Sequence, residues 1–109
     1  MTRVSEEIAP MVENDDLVFR ALADRKRRLI LDLLRLRPRT TGELCAALPE
    51  IDRCTVMLHI SVLEKAELVV ASRQGRSRIN VLNLKPLIQI QKRWLGSFTG
   101  SAIDLLDKL

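Results

Sequence analysis

Apolar residues recur three and four positions apart through the first two thirds of the chain, which is the spacing of one face of an α-helix. Asp15 and Asp16 open the first such stretch, and Asp24 can cap the second. The apolar faces, in chain order, are Leu17, Val18, Ala21 and Leu22; Leu29, Ile30, Leu33, Leu34 and Leu36; Leu44, Ala47 and Leu48; and Val56, Ile60 and Leu63. The pattern therefore predicts four helices in succession.

The third and fourth of these helices are short and are separated by a turn. Thr40 and Glu43 have the spacing of a capping box, so the third helix is expected to begin there. Pro49 belongs to the turn that follows, and Asp52 can cap the fourth helix. This arrangement predicts a helix-turn-helix.

The hydrophobic period changes after the fourth helix. Residues 68–71 and 77–82 predict two strands joined by a turn that contains Gly75. A last helix starts near Asn83, with its apolar positions at Leu87, Ile90, Trp94, Leu95, Ile103, Leu105 and Leu106 and expected interruptions at Gly96 and Gly100. The second half of the chain therefore predicts a hairpin and a terminal helix.

This order of elements predicts a mainly α-helical fold with a small β-hairpin, namely a winged helix-turn-helix. The domain is expected to span residues 15–109, with an arm at residues 1–14. In such folds the second helix of the helix-turn-helix enters the DNA major groove, and the hairpin, or wing, contacts the backbone or the minor groove. Double-stranded DNA is therefore the expected partner.

Composition supports a folded domain with a polyanionic partner. Hydrophobic residues make up 47% of the chain, charged residues 29%, and the net charge is +4. Acidic residues crowd the N-terminal end, whereas basic residues dominate residues 25–39 and recur in the hairpin. The aromatic residues are one Trp and two Phe, which argues against aromatic platforms for single strands or RNA.

The expected cellular compartment and the expectation of no catalytic activity both rest on sequence motifs that the chain lacks. The chain shows no signal peptide and no apolar run of the ~20 residues that a membrane span needs. With Cys45 and Cys54 as its two cysteines, it is expected in the cytoplasm, with free thiols and no membrane partner. Paired catalytic carboxylates, a nucleophile motif and a phosphate loop are not recognisable, so neither an enzyme nor a cofactor is expected.

Several segments together resemble one family of regulators. They are F-R-A-L-A-D at residues 19–24, R-R-L-I-L-D-L-L at 27–34, G-E-L at 42–44, T-V-M-L-H-I-S-V-L at 55–63, R-Q-G-R at 73–76 and L-N at 82–83. Over about residues 17–94 the chain resembles the arsenical-resistance-repressor (ArsR) family. The resemblance implies a homodimeric bacterial-type repressor that leaves DNA when a metal ion, an oxidant or another signal arrives.

Three positions depart from residues that are common in that family. Met57 replaces a frequent Ser, Leu58 a frequent Arg or Gln, and Glu67 a usual Gly. Since Gly at the end of a helix is typical of a left-handed backbone, Glu67 is expected to be strained if it keeps that conformation.

Three regions supply candidate DNA contacts. Because Val56, Ile60 and Leu63 face the core, the opposite side of the fourth helix is available for base edges and thymine methyl groups. The hairpin arginines and the start of the third helix are candidates for phosphate contacts. The predicted DNA-contacting residues are Arg39, Thr40, Thr41, Arg53, Cys54, Thr55, Met57, Leu58, His59, Ser61, Arg73, Gln74, Gly75, Arg76 and Arg78.

Two of the basic features have simpler alternatives. His59 is the only histidine, and a structural role or a place beside a phosphate is the alternative to a specific contact. The run at residues 25–28 is more typical of a solvated helix face with ion pairs, for instance to Asp24 or Asp32, than of direct DNA contact.

The resemblance suggests metal ions and oxidants as signals that this protein could sense. Metal-sensing relatives carry a second cysteine after E-L-C, whereas this chain has E-L-C-A-A-L with Cys45 alone, and no histidine follows His59. We therefore expect no metal site within one subunit. Because Cys54 stands beside Arg53 at a helix start, a thiol sensor that uses Cys54 or both cysteines remains an alternative.

The first and last helices are expected to form a dimer interface, although an effector pocket at Trp94 is an alternative. The residues predicted for this interface are Leu17, Val18, Leu22, Leu87, Ile90, Trp94, Phe98 and Leu105.

A different function is an alternative to DNA binding. The apolar Met57 and Leu58 suggest a winged helix that serves protein–protein interaction instead of DNA binding.

Overall fold

The computed structural model describes the backbone of residues 9–99 and the side chains of residues 14–99. Its elements are α1 (Ala9–Leu22), α2 (Arg25–Leu36), β1 (Arg39–Thr40), α3 (Thr41–Ala47), α4 (Arg53–Lys65), β2 (Val69–Gln74), β3 (Ser77–Leu82) and α5 (Lys85–Ile90), which continues as a π-helical segment (Gln91–Leu95). The fold is the predicted winged helix-turn-helix: α3 and α4 form the helix-turn-helix, and β2 and β3 form the wing.

Side-chain caps fix the starts of three helices at the predicted positions. A carboxylate oxygen of Asp24 accepts from the Lys26 N–H at 2.7 Å at the start of α2. At α3, the Glu43 N–H donates to the Thr40 hydroxyl at 3.0 Å, and the Thr40 N–H donates to Glu43 at 3.2 Å. Asp52 accepts from the Thr55 N–H at 2.9 Å at the start of α4. Each cap satisfies a backbone donor that the first turn leaves without a partner.

The start of α1 was predicted too late in the chain. The helix begins at Ala9 and not at Asp15, so residues 9–14 of the expected arm are helical. Pro10 does not prevent this, because the first turn of a helix does not use its backbone N–H groups. The remainder of the arm, residues 1–8, lies outside the described residues.

The wing belongs to a three-stranded antiparallel sheet with the order β1-β3-β2, and β1 was not predicted. Arg39 pairs with Asn80 and Thr40 with Ile79. The buried Asn80 side chain donates to the Arg39 carbonyl at 3.2 Å and to the Thr41 hydroxyl at 3.1 Å. The start of α3 is therefore fastened to the base of the wing.

The core is formed where α1, α2 and α4 pack together and meet α3, α5 and the base of the sheet. As predicted, α4 buries Val56, Ile60 and Leu63 and leaves its other side in solvent. The buried apolar residues are Val18, Ala21, Ile30, Leu31, Leu34, Leu44, Val56, Ile60, Leu63, Ala66, Leu68, Val69 and Ile90. Burial of α4 on one side determines which side chains it can present to a partner.

The last helix changes its winding just before Gly96. A Cβ atom built on Gly96 would lie 2.6 Å from the Gln91 carbonyl oxygen, which is too close for any other residue without a shift of the backbone. The interruption expected at Gly96 therefore corresponds to the π-helical segment. The one expected at Gly100 lies outside the described residues.

The end of α4 is a left-handed turn centred on Glu67. The Leu68 N–H donates to the Leu63 carbonyl at 3.0 Å and the Glu67 N–H to the Glu64 carbonyl at 2.9 Å, the pattern of a Schellman motif. Glu67 has a φ of 61°, the conformation that the usual Gly of the resembled family suggested. A side chain in this conformation is strained, because its Cβ approaches the backbone.

Replacing Glu67 with Gly is expected to raise the free energy of unfolding by about 1 kcal/mol, after part of the strain relief is offset by the flexibility of Gly in the unfolded chain. The urea midpoint measures this change. Glu67→Ala is the matched control, since it removes the carboxylate but keeps Cβ. A Gly variant no more stable than the Ala variant would show that strain is not the cause.

Candidate DNA-binding surface

The exposed side of α4 carries two large apolar side chains. Leu58 is 67% exposed and Met57 is 49% exposed, although both are large hydrophobic side chains. Ser61 lies one turn further along the helix, and Arg53 and Cys54 lie at its start, all exposed. This side can therefore offer apolar contact to thymine methyl groups together with a hydroxyl and one guanidinium.

The first turn of α4 is held by its own residues. The Thr55 hydroxyl donates to Asp52 at 2.7 Å, in addition to the backbone cap. These bonds from the Thr55 hydroxyl and N–H hold the pKa of Asp52 below its ordinary value. Because the carboxylate is the capping form, the cap persists at neutral pH and is lost only as pH falls through this lowered pKa. Thr55, predicted to contact DNA, thus already uses its hydroxyl hydrogen.

The tip of the wing is a two-residue turn. Gln74 pairs with Ser77, which leaves Gly75 and Arg76 between the strands. Gly75 has a φ of 61°, and a residue with a Cβ would be strained there. Arg76 lies in the turn and not in a strand, so the alternation of side chains along a strand does not fix the side of the wing from which the Arg76 side chain leaves. The exposed Arg76 side chain stands at the end of the wing.

Two further arginines face each other across the hairpin. Arg73 pairs with Arg78 in the antiparallel register, so their side chains leave the same face of the wing. Arg78 Nη2 lies 2.5 Å from Glu64 Oε1 of α4. Sequence reasoning missed Glu64, because an ion pair between residues of a helix and a distant strand leaves no signal in local spacing.

The side chains at the start of α3 are engaged within the domain. Thr41 is only 8% exposed, and its hydroxyl accepts a hydrogen bond from Asn80. Arg39 is half-buried and donates from Nε to the Leu33 carbonyl at 3.1 Å. The Thr40 hydroxyl accepts the capping bond from the Glu43 N–H. These three side chains therefore form hydrogen bonds that stabilise the domain itself.

Glu43 has a second partner in the loop before α3. Arg37 Nη2 donates to its carboxylate at 2.8 Å. The hydrogen bond from the Thr40 N–H and the one from Arg37 lower the pKa of Glu43, so the capping box stays ionised at neutral pH. Arg37 is thereby tied to the helix-turn-helix.

His59 directs both ring nitrogens into the subunit, and its predicted DNA contact stays a prediction. Its Nδ1 lies 3.2 Å from Arg27 Nη1, and its Nε2 is buried without a hydrogen-bond partner. Arg27 also donates to the carbonyls of Ala21 and Arg20 at the end of α1, both at 2.8 Å. The structural alternative for His59 therefore describes its place, and the Arg27 side chain joins α1, α2 and α4.

The ion-pair partner expected for the basic run is Asp24. Its carboxylate lies 4.0 Å from Arg27 Nη1. Desolvation acts to raise the pKa of Asp24, but the hydrogen bond from the Lys26 N–H and the nearby positive charge outweigh it and lower the pKa. The start of α2 thus keeps an ionised cap at neutral pH.

Comparison with known proteins places this architecture in a family. A family model described as a helix-turn-helix domain matches residues 22–70. An uncharacterised HTH-type transcriptional regulator of Bacillus subtilis, YuzN, is 41% identical over 88 residues, which cover 75% of this chain and 96% of the relative. The crystal structure of an ArsR family transcriptional regulator superposes with a TM-score of 0.72 at 30% identity, covering 77% of this chain and 90% of that one.

The chain belongs to the ArsR family of transcriptional regulators. The transcriptional repressor SdpR of Bacillus subtilis is 31% identical over 81 residues, covering 74% of this chain and 88% of that repressor. A homodimeric winged helix-turn-helix DNA-binding domain from Mycobacterium bovis shares the fold, with a TM-score of 0.70 at 22% identity over 92% of this chain and 93% of that domain.

Both cysteines of this ArsR-family chain are free thiols. Cys45 is half-buried against the core, whereas Cys54 is exposed at the start of α4. Among the described residues, no three or more His, Cys, Asp or Glu side chains are grouped in a way that could hold a metal ion. In the same part of the chain, no helix has the length and apolar character needed to cross a membrane.

The residues predicted for the dimer interface of this regulator differ in how far they are exposed in the single subunit. Val18 and Ile90 are buried in the core of the subunit itself, so they are not available to a partner. Leu17, Trp94 and Phe98 are exposed, whereas Leu22 and Leu87 are partly buried against the core. Leu105 lies outside the described residues.

An aromatic cluster stands at the centre of the exposed group. The rings of Phe19 and Trp94 are 5.5 Å apart and those of Trp94 and Phe98 are 5.1 Å apart, both in edge-to-face geometry. Trp94 is nonetheless 48% exposed in the single subunit. Large apolar side chains held in place and left in water are typical of an interaction surface.

Proposed function

We propose that this protein is a homodimeric repressor that binds a specific double-stranded DNA sequence and is released by a signal. The observation that carries the proposal is the contact between α4 and the wing, where Arg78 pairs with Glu64 beside the exposed Met57 and Ser61. Within the described residues, Arg53 at the start of α4 and Arg73 and Arg76 of the wing are exposed and have no ion-pair partner. Unpaired guanidinium groups beside a helix-turn-helix fit a DNA backbone.

Each part of the surface has its own role in this proposal. The α4 helix enters the major groove, where Leu58 and Met57 contact thymine methyl groups and Arg53 and Ser61 form hydrogen bonds. Arg76 and Arg73 neutralise phosphates that flank the groove. Affinity then comes mainly from the wing and sequence preference from the helix.

Dimerisation gives the complex its symmetry. Two copies of α4 related by a two-fold axis bind half-sites about one helical turn apart, which predicts an operator of palindromic character. The homodimeric domain from Mycobacterium bovis and the repressor SdpR support this assembly and direction of regulation. Cys54 is the better placed of the two thiols for a signal, because it is exposed on the helix that enters the groove.

A second candidate function is a protein-interaction module. The exposure of Met57 and Leu58 favours it, since an apolar helix surface also suits a protein partner. The two functions differ in their response to salt, because only DNA binding releases condensed counterions.

Salt titrations of DNA binding test the proposal and separate the two roles. Arg76→Ala is expected to weaken binding to all sequences alike and to lower the slope of log affinity against log salt by about 0.9, the value for one phosphate. Leu58→Ala is expected to keep the slope and to reduce the preference at one base pair by about 1 kcal/mol. Binding is measured on a selected operator and on its single-base variants.

Arg35→Ala is the matched control, because Arg35 is also an exposed arginine but lies on α2 outside the proposed surface. Its slope is expected to equal that of the wild type. The docking is refuted if Arg76→Ala changes only sequence preference while Leu58→Ala weakens every DNA equally. Wild-type binding that does not respond to salt would favour the protein-interaction module.

A further inference from the structure

Glu64 places a negative charge inside the surface proposed to bind DNA. Its carboxylate lies 2.5 Å from the Arg78 guanidinium, and the two side chains are 31% and 50% exposed. The pair borders a hollow between α4, the start of α3 and the wing, whose other lining residues are Thr41, Met57, Ile60 and Ser61. The ion pair therefore lies beside exposed side chains that were assigned to DNA.

Arg78 differs in this respect from the other wing arginines. Arg73, its direct cross-strand neighbour, and Arg76 at the tip have no carboxylate within ion-pair distance in the described part of the chain. A carboxylate and a phosphate offer a guanidinium the same two-oxygen geometry, so Arg78 cannot be fully bound to both. Glu64 is thus an internal competitor for one of three neighbouring cations.

We propose that Glu64 is a positioning residue that holds Arg78 against α4 and away from the DNA backbone, and thereby limits the affinity for every DNA sequence. This inference rests on the proposed DNA binding. The wild-type wing then engages phosphates through Arg73 and Arg76, while Arg78 fixes the angle between the wing and α4. Removing the carboxylate frees Arg78 for one additional phosphate.

The test is Glu64→Gln, which keeps the size of the side chain and removes its charge. We expect the variant to bind an operator and an unrelated duplex at least about threefold more tightly, with a salt slope steeper by about 0.9. Arg78→Gln alone is expected to leave the wild-type slope unchanged, because Arg78 contacts no phosphate there. The double variant Glu64→Gln with Arg78→Gln is expected to return to the wild-type slope.

Glu67→Gln is the matched control, since it removes one negative charge, as Glu64→Gln does, at a position three residues away. The Glu67 carboxylate is exposed and has no ion pair in the described part of the chain. A general effect of net charge would appear equally in both variants. Equal results for Glu64→Gln and Glu67→Gln overturn the inference, and so does a slope that falls by about 0.9 in Arg78→Gln alone.

Failure of this inference is distinguishable from failure of the proposed function. A wild-type protein that binds no duplex DNA overturns both. A wild type that binds with a clear salt slope, together with a Glu64→Gln variant of unchanged slope, overturns only the role of Glu64. Arg78→Gln supplies an independent result if Glu64→Gln does not fold, which the circular dichroism spectrum shows.

Discussion

Replacing Trp94 with alanine is expected to raise the dissociation constant of the proposed dimer by about 30-fold or more, the effect of losing an aromatic contact worth about 2 kcal/mol at the centre of the predicted interface. Trp94 is held between Phe19 and Phe98 in the subunit yet is almost half exposed. A preoriented aromatic side chain of this kind loses little conformational entropy when a partner covers it. Affinity for a two-half-site operator is expected to fall with the dimer, since a monomer engages only one half.

Analytical ultracentrifugation over a range of protein concentrations measures this effect, and circular dichroism verifies that the variant is folded. Leu17→Ser provides a second interface variant with less disturbance of the aromatic cluster. Leu36→Ala is the control, because Leu36 is 72% exposed but lies on α2, outside the proposed interface. A monomeric wild type, or two interface variants that dimerise as the wild type does, would exclude this interface.

Arg27→Met is expected to lower the free energy of unfolding by about 2–4 kcal/mol, the range for removing one partner of a buried charged hydrogen-bond network. The Arg27 side chain is only 15% exposed and bonds two carbonyls at the end of α1 as well as His59 on α4. Methionine fills most of the space but leaves the Ala21 carbonyl and His59 Nδ1, both in part-buried bonds, without this donor. The urea midpoint and the slope of the transition measure the change.

The neighbouring Arg28 supplies a matched control. It also donates to a carbonyl near the end of α1, that of Leu22 at 2.6 Å, but it is exposed and bonds no side chain of α4. Arg28→Met is therefore expected to cost less than about 1 kcal/mol, since water replaces the lost bond. If both variants are destabilised equally, the buried link to α4 is not the reason.

Local sequence signals predicted the helix-turn-helix because they act within a few residues. Asp24, Thr40 and Asp52 cap helices through bonds that reach at most three residues ahead. The apolar face of α4 follows from its own periodicity, and the wing from a change of period around Gly75. The start of α1 was predicted at Asp15, although the helix begins at Ala9 and Pro10 occupies its first turn.

The resemblance to the ArsR family added information about single positions that the local hydrophobic pattern does not contain. It identified Glu67 as a position where Gly is usual, and the φ of 61° confirms that the backbone is left-handed there. The predicted contact residues also include His59 and Thr41, whose side chains contact Arg27 and Asn80 within the subunit. A motif position fixes where a residue lies on a helix, but neighbouring elements decide whether its side chain is free.

The sequence by itself therefore determined the order of the helices and the wing, the caps of α2, α3 and α4, and the exposed side of α4. Only the tertiary structure decided which charged and polar groups are already occupied: Glu64 with Arg78 across 14 residues, Arg27 with His59 across 32, and Asn80 with the Arg39 carbonyl across 41. Periodicity and capping arise from bonds within one or two helical turns, so they leave a local pattern. Pairs between elements depend on where distant segments meet in space, and residue spacing does not encode that meeting.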